Sequence, residues 1–263
     1  MCVMNTTIRR AIFLDFDGVL FDTVREAYAV AMIALGRFDR LIDVDFDTIH
    51  FENFSQFRYL IGPAWNYYYL IQSIDRQIEE PTIDVEIEFK KFLEMWVERE
   101  VQPFRENFFQ TRIRLRVKER ERWSSLISPY NFLGNIRKLL GEFRKCFFLV
   151  TTRDRESVLD ILQLYDLQLI DSNIFAKNEY TVHNSKLNII RDLIKKRKIE
   201  ESVFIDDLED HLVLCETIQS LTTLQAKWGY VVPKKKEDNS LLLLKELERF
   251  VHGENVWIGT ENF

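Results

Sequence analysis

Asp15 and Asp17 stand one residue apart where the apolar run Ala11-Ile12-Phe13-Leu14 ends, and Gly18 follows them. In an extended segment residues i and i+2 project to the same side, so both carboxylates would share one small space at a strand's C-terminal end. Two negative charges held that close repel unless a cation lies between them or one takes up a proton. The pair therefore asks for a divalent cation or for acid/base work. Two more apolar runs end in groups that suit such a site. Phe147-Phe148-Leu149-Val150 leads into Thr151-Thr152, and Ser202-Val203-Phe204-Ile205 leads into Asp206-Asp207. A hydroxyl at a strand tip, just before a helix starting near Asp154, is placed to hydrogen-bond a phosphate together with the helix's first N–H groups. A second acidic strand end supplies what the first needs to hold a cation.

The elements that must carry these groups follow from the patterning. Short apolar runs bounded by polar residues suit parallel strands covered by helices on both faces, and Gly18 permits a sharp exit from the first. After Thr23, the positions Val24, Ala27, Tyr28, Ala31, Met32 and Leu35 recur at helical spacing, with Gly36 as the stop. From there to about Leu126 the sequence predicts helices only, among them Ile83 to Val101 and the charged Phe108 to Trp123. Ser128-Pro129 marks the return, and Phe132, Ile136, Leu139, Leu140 and Phe143 form a helix face. Strand and helix then alternate: a short strand near Ile174-Phe175, a helix starting at His183 to Lys186, a helix from Leu208 to Ile218, a strand from Leu221 to Gln225, and a closing helix from Leu241 to Val251. That alternation predicts an α/β fold, a doubly wound parallel sheet whose sites lie at the carboxyl ends of the strands.

Asp15 to Thr23 resembles, without a gap, the first motif of the haloacid dehalogenase (HAD) superfamily, Asp-x-Asp-Gly-Val/Thr-Leu-x-Asp-Ser/Thr. Thr151 is similar to its second motif, Lys186 to its third (with Lys177 as the alternative) and Asp206-Asp207 to its fourth in the Asp-Asp form. The resemblance implies an HAD-like core over 1–22 and 127–263, with 23–126 inserted as a helical C1 cap that sets substrate choice. It further implies a Mg2+-dependent phosphatase of small phosphate monoesters, with Asp15 as nucleophile and Asp17 as general acid and base. Lys186 would supply fixed positive charge to the transferring oxygens, and Thr151 a neutral donor. The metal would be held by Asp15, the Asp17 backbone carbonyl and either Asp206 or Asp207, leaving open which of the last two touches it and whether Asp210 stands behind them. Arg58 to Trp65 contains Ile61-Gly62-Pro63, similar to the turn of phosphoglycolate-phosphatase-like caps. Gly18, Thr152, Arg58 and Trp65 are accordingly candidates for contacts to the substrate phosphate. Trp65, Tyr67, Tyr68 and Tyr69 would either wall a pocket or pack the cap's own core.

Within the superfamily that the chain resembles, the dehalogenase branch lacks an acid at the position of Asp17, so the resemblance implies a phosphate ester rather than a halo-acid. A phosphomutase shares the same core residues; a phospho-receiver shares an Asp, a Thr and a Lys on a parallel sheet but lacks a long helical insertion after the first acidic strand. A HAD-like protein that binds without turnover is the remaining alternative. Net charge of −6 disfavours nucleic-acid or anionic-membrane partners. Cys2, Cys146 and Cys215 are scattered and predict free thiols rather than a zinc site. With no apolar segment near the roughly 20 residues that span a bilayer, the expectation is a cytoplasmic protein. Arg112, Arg114, Arg116, Lys118, Arg120 and Arg122 predict a solvated helix face paired with Glu119 and Glu121.

Overall fold

The computed structural model describes residues 8–95 and 98–254, with the backbone alone given at 98–100. They form two compact units, 8–22 with 129–254, and 23–128.

The first unit is built on five parallel strands, β1 (Arg10–Leu14), β2 (Phe147–Val150), β3 (Ile174–Phe175), β4 (Glu201–Asp206) and β5 (Leu221–Gln225), in the spatial order β3-β2-β1-β4-β5. The parallel α/β architecture expected from the alternation is the one observed. All five residues of β1 are buried, as a central strand covered on both faces requires. Register decides where the polar residues fall. Leu14 pairs with Leu149 on one side and with Ile205 on the other. The residues that follow, Asp15, Val150-Thr151 and Asp206, therefore come to one edge of the sheet, and Asp15 N–H donates to the Ile205 carbonyl at 2.9 Å.

The second unit is helical: α1 (Val24–Ala34), α2 (Ile49–Gln56), α3 (Asn66–Glu79), α4 (Val85–Glu94), α5 (Glu98–Lys118) and α6 (Arg120–Ser125). Thr48 and Asp84 cap α2 and α4 by accepting from the N–H groups of Phe51 and Ile87. The boundaries differ from the sequence expectation: the expected helix Ile83 to Val101 stops at Glu94, and the charged helix begins at Glu98 and breaks at Glu119. Aromatic residues fill the middle. Phe54 stacks on Tyr67 at 5.4 Å and Tyr67 on Phe108 at 5.5 Å, so Tyr67 belongs to this unit's core rather than to a pocket wall.

Arg112 also departs from expectation. It is buried rather than solvated, and donates from Nε and Nη2 to Glu26 at 2.8 and 3.1 Å. Trp123 Nε1 donates to the same carboxylate at 3.0 Å. Glu26 is fully buried, and these donors offset the cost of burying its charge. Replacing Glu26 by Ala takes the carboxylate away from the buried Arg112 guanidinium, and is expected to cost about 3–5 kcal/mol. The double change Glu26→Leu with Arg112→Leu should cost much less, because it removes both charges. Urea unfolding of the two variants measures the difference, and equal losses would show that packing rather than charge pairing sets the cost.

In the first unit the sheet is covered by α7 (Leu133–Phe143), α8 (Arg155–Leu164), α9 (Lys177–His183), α10 (Lys186–Arg197), α11 (Glu209–Cys215) and α12 (Ser240–Val251). Alternate strand residues divide between the faces. Ala11, Phe13, Phe148 and Phe204 pack with Ile189, Ile190 and Leu193 of α10 and Leu212 of α11. Leu14 and Ile205 meet Ile136 of α7 and Leu243, Leu244 and Leu247 of α12. Helix α9 was not foreseen in the sequence. The α10 start at Ser185-Lys186 was, and the Ser185 side chain caps it by accepting from Asn188 N–H.

Candidate active site

At the carboxyl ends of the strands three carboxylates gather: Asp15 after β1, and Asp206 and Asp207 at the end of β4. One oxygen from each lies within 4.8 Å of the others, and all three residues are buried. Lys186, the first residue of α10, reaches between them with Nζ 2.8 Å from Asp15 Oδ2 and 2.7 Å from Asp206 Oδ2. It is 2% exposed. Lys177, the other lysine considered from sequence, begins α9 instead, where its backbone N–H donates to the Arg153 carbonyl at 2.9 Å.

The two carboxylates that share Lys186 differ in their remaining partners. Asp206 Oδ1 accepts from Leu208 N–H at 2.9 Å, and Oδ2 receives both Lys186 and His211 Nδ1, the latter at 3.0 Å. Burial alone would push Asp206 up, but Lys186 and His211 outweigh it and hold the group well below the usual carboxylate range. Asp15 has no such support. Burial, reinforced by Asp206 and Asp17, outweighs Lys186 and pushes it up to about 6. Its Oδ1 is buried without a hydrogen-bond partner. Burial works against the Lys186 ammonium as well, yet Asp15 and Asp206 keep it charged beyond the ordinary lysine range.

Asp207 is held differently. Its Oδ2 accepts from Tyr230 N–H at 2.9 Å and its backbone carbonyl from Gln225 Nε2 at 3.0 Å. The turn after β5 thus packs on the turn after β1, where Trp228 Nε1 donates to the Val19 carbonyl at 3.1 Å and Tyr230 Oη donates to Asp22 at 2.9 Å. Two glycines make this approach possible. Gly18 has φ +81°, and a Cβ there would stand 2.0 Å from Asp207 Oδ2; a Cβ on Gly229 would stand 2.2 Å from the Gly18 carbonyl oxygen. Gly18 therefore makes room for Asp207. Gly18→Ala adds a left-handed backbone cost of about 1–2 kcal/mol and displaces Asp207. It is expected to lower the melting temperature and to weaken any stabilisation by added Mg2+, which a thermal titration with the metal reads directly.

The side chain of Asp17 stands apart from the three-carboxylate cluster. Its Oδ1 accepts from Arg153 Nη1 at 2.8 Å. The candidate metal set from sequence is thus divided: Asp15, Asp206 and Asp207 come together, while Asp17 can join them only through its backbone. Thr151 is buried, and its Oγ1 accepts from Arg153 N–H at 3.2 Å; Thr152 is half-buried beside it. Asp154 caps α8 by accepting from Ser157 N–H at 2.9 Å. Asp210 is exposed on α11, so the group behind the cluster is His211 instead. Arg58 and Trp65 belong to the helical unit and are engaged within it. Arg58 is buried, donates to the Ile61 carbonyl at 3.2 Å and lies 5.2 Å from the centre of the Tyr67 ring. Trp65 carries the Arg105 guanidinium over its ring at 4.9 Å.

Sequence reading missed Arg153 and His211. Each had a positional signal: Arg153 lies two residues beyond the strand-end Thr151, and His211 lies in the first turn of the helix that follows Asp206-Asp207, which folds back over the strand end.

No protein-family model and no curated protein sequence matches the chain. Solved structures do. A haloacid dehalogenase-like hydrolase from Streptococcus pneumoniae superposes with TM-score 0.57 at 13% identity, covering 92% of this chain and 99% of the other. A predicted phosphatase from Clostridium acetobutylicum gives 0.59 at 14% identity, over 92% and 99%. The chain has the HAD-like fold. A predicted phosphoglycolate phosphatase from Haemophilus somnus shares it at TM-score 0.54 and 13% identity, over 90% and 94%. In this HAD-like chain the buried carboxylates lie at the strand ends, the usual place for a site in an open parallel sheet. Among the described residues no helix is long and apolar enough to cross a membrane.

Proposed function

We propose that this protein is a Mg2+-dependent phosphatase of small phosphate monoesters that works through an aspartyl-phosphate on Asp15. The observation that carries the reading is Asp15 itself: a buried carboxylate at a strand end, with Lys186 2.8 Å from one oxygen and no hydrogen-bond partner for the other. An unsatisfied buried oxygen is costly unless a ligand completes it. Three carboxylates against one lysine leave an excess of negative charge, and an all-oxygen donor set suits a hard divalent cation. Asp15, Asp207 and the Asp17 backbone carbonyl are the groups we assign to Mg2+. Asp206 is set aside because Leu208, Lys186 and His211 already occupy its two oxygens. When bound, the cation supplies positive charge that offsets repulsion between the nucleophile and the phosphate.

In the first displacement an Asp15 oxygen bonds to phosphorus while the ester P–O bond breaks, and Asp17 gives its proton to the departing alkoxide. In the second, water attacks the same phosphorus, its proton passes to Asp17, and the Asp15 carboxylate is restored. Lys186 stays charged throughout and balances the transferring oxygens, with Thr151 as a neutral donor. The names of the structural neighbours, a predicted phosphatase and a predicted phosphoglycolate phosphatase among them, support the same chemistry. The helical unit, threaded into the chain after Asp22, is assigned the role of a cap that chooses the substrate.

The test is inorganic phosphate release from phosphoglycolate, sugar phosphates, nucleotides and p-nitrophenyl phosphate, with Mg2+ and with EDTA. Release from at least one ester that needs Mg2+ is the expected result. Absence of metal-dependent release across the whole panel overturns the assignment.

A further inference from the structure

Arg153 is a fully enclosed cation aimed at a group of the proposed site. Its side chain is 1% exposed, against 19% for the Asp17 side chain whose Oδ1 it meets at 2.8 Å. Its backbone is held on both sides. Its N–H donates to Thr151 Oγ1 at 3.2 Å and its carbonyl accepts from Lys177 N–H at 2.9 Å. The guanidinium lies 5.6 Å from the centre of the Phe16 ring, and Phe16 in turn stacks on Phe21 at 4.8 Å. Asp17, by contrast, sits on the turn after β1, next to a glycine at φ +81°. A carboxylate on such a turn has free torsions unless something holds it, and a buried planar guanidinium is a well-suited anchor.

We propose that Arg153 is the positioning residue for Asp17: it fixes the torsion of the carboxylate so that the proton-carrying group faces the ester oxygen and, later, the attacking water. The inference rests on the phosphatase reading and deepens it. It also explains why the anchor lies two residues beyond Thr151. The strand-end hydroxyl and the anchor of the acid/base group then share one rigid turn between β2 and α8, so the phosphate contact and the proton-transfer group keep their spacing without depending on the helical unit.

A buried arginine paired with a carboxylate also contributes to stability, and the test must separate the two roles. The separation lies in the leaving group. A p-nitrophenolate departs without a proton, whereas an alkoxide needs one, so loss of a well-placed acid is felt far more by an alkyl ester. For Arg153→Gln, kcat/KM on the alkyl phosphate that the wild type turns over best, which reports the first displacement and not the shared hydrolysis that follows, is expected to fall about 10²-fold, the low end of what a positioned general acid supplies. On p-nitrophenyl phosphate the fall in kcat/KM should stay under about tenfold by the same reasoning. Arg153→Lys, which keeps the charge and loses the planar fork, should lie between wild type and Gln on the alkyl ester, and it carries the comparison if the Gln variant does not fold. Equal losses on the two esters, or no loss on either, overturn the positioning role. If instead the wild type itself releases phosphate from neither ester with Mg2+ present, it is the phosphatase reading that fails.

Discussion

Asp15→Asn is expected to abolish Mg2+-dependent phosphate release, with kcat falling by at least about 10⁴-fold, the scale seen when a covalent nucleophile is removed. The fold should survive, because Asn is nearly isosteric and still offers an oxygen to Lys186. Stability gives the independent readout. Burial holds the Asp15 carboxyl at about 6 instead of its ordinary 3.8. A carboxyl raised in the native state costs stability wherever it is ionised, and the cost is complete above the native value and gone below the unfolded one. In EDTA the Asn variant should therefore melt higher than wild type at pH 8, with the gain shrinking as pH falls through about 6 and vanishing near 4. Saturating Mg2+ should reverse the order at pH 8, since only the wild type keeps the carboxylate that the cation needs. A variant that is inactive but no more stable than wild type in EDTA at pH 8 would mean that Asp15 is not under electrostatic strain.

That site was partly legible in the sequence, and the legible part has a physical cause. Strands buried on both faces read as unbroken apolar runs, so Ala11-Ile12-Phe13-Leu14, Phe147 to Val150 and Val203 to Ile205 stood out along with the polar residues that end them. Parallel order then sends those ends to one edge, which is why the sequence alone groups Asp15, Thr151 and Asp206-Asp207. What could not be read depends on pairings between residues far apart in the chain. Arg153 faces Asp17 across 136 positions, and Arg112 meets Glu26 across 86. Nothing in local periodicity separates a buried arginine from a solvated one. The choice between Asp206 and Asp207 likewise rests on side-chain partners: Lys186 and His211 arrive from different helices and take Asp206, while the turn carrying Tyr230 takes Asp207. Within the helical unit, the breaks after Glu94 and at Glu119 carry no proline or glycine to announce them.

Removing Lys186 should have the largest effect on the folded state. Its ammonium touches Asp15 and Asp206 and is 2% exposed, so Lys186→Met leaves three buried carboxylates within 4.8 Å of one another and no cation among them. Breaking a buried pair from one side costs about 3–5 kcal/mol, because the surviving charge keeps its desolvation penalty and loses its partner. At roughly 2–4 °C per kcal/mol for a chain of this size, the melting temperature in EDTA should fall by about 6–20 °C. Mg2+ acts in the opposite direction. The cation neutralises the same carboxylates, and its stabilisation grows as RT ln(1 + [Mg2+]/Kd), so the variant should recover part of the loss as the metal is added. Catalysis should not return with it, since Lys186 is the fixed charge that balances the transferring oxygens and a cation held by Asp15 and Asp207 does not stand in its place. The two readouts therefore separate: melting temperature rises with Mg2+ in both wild type and variant, and phosphate release responds in the wild type alone. If Mg2+ moves neither melting temperature, the carboxylates at the strand ends do not form a cation site, and the offset for their repulsion has to come from the proton that Asp15 takes up near pH 6.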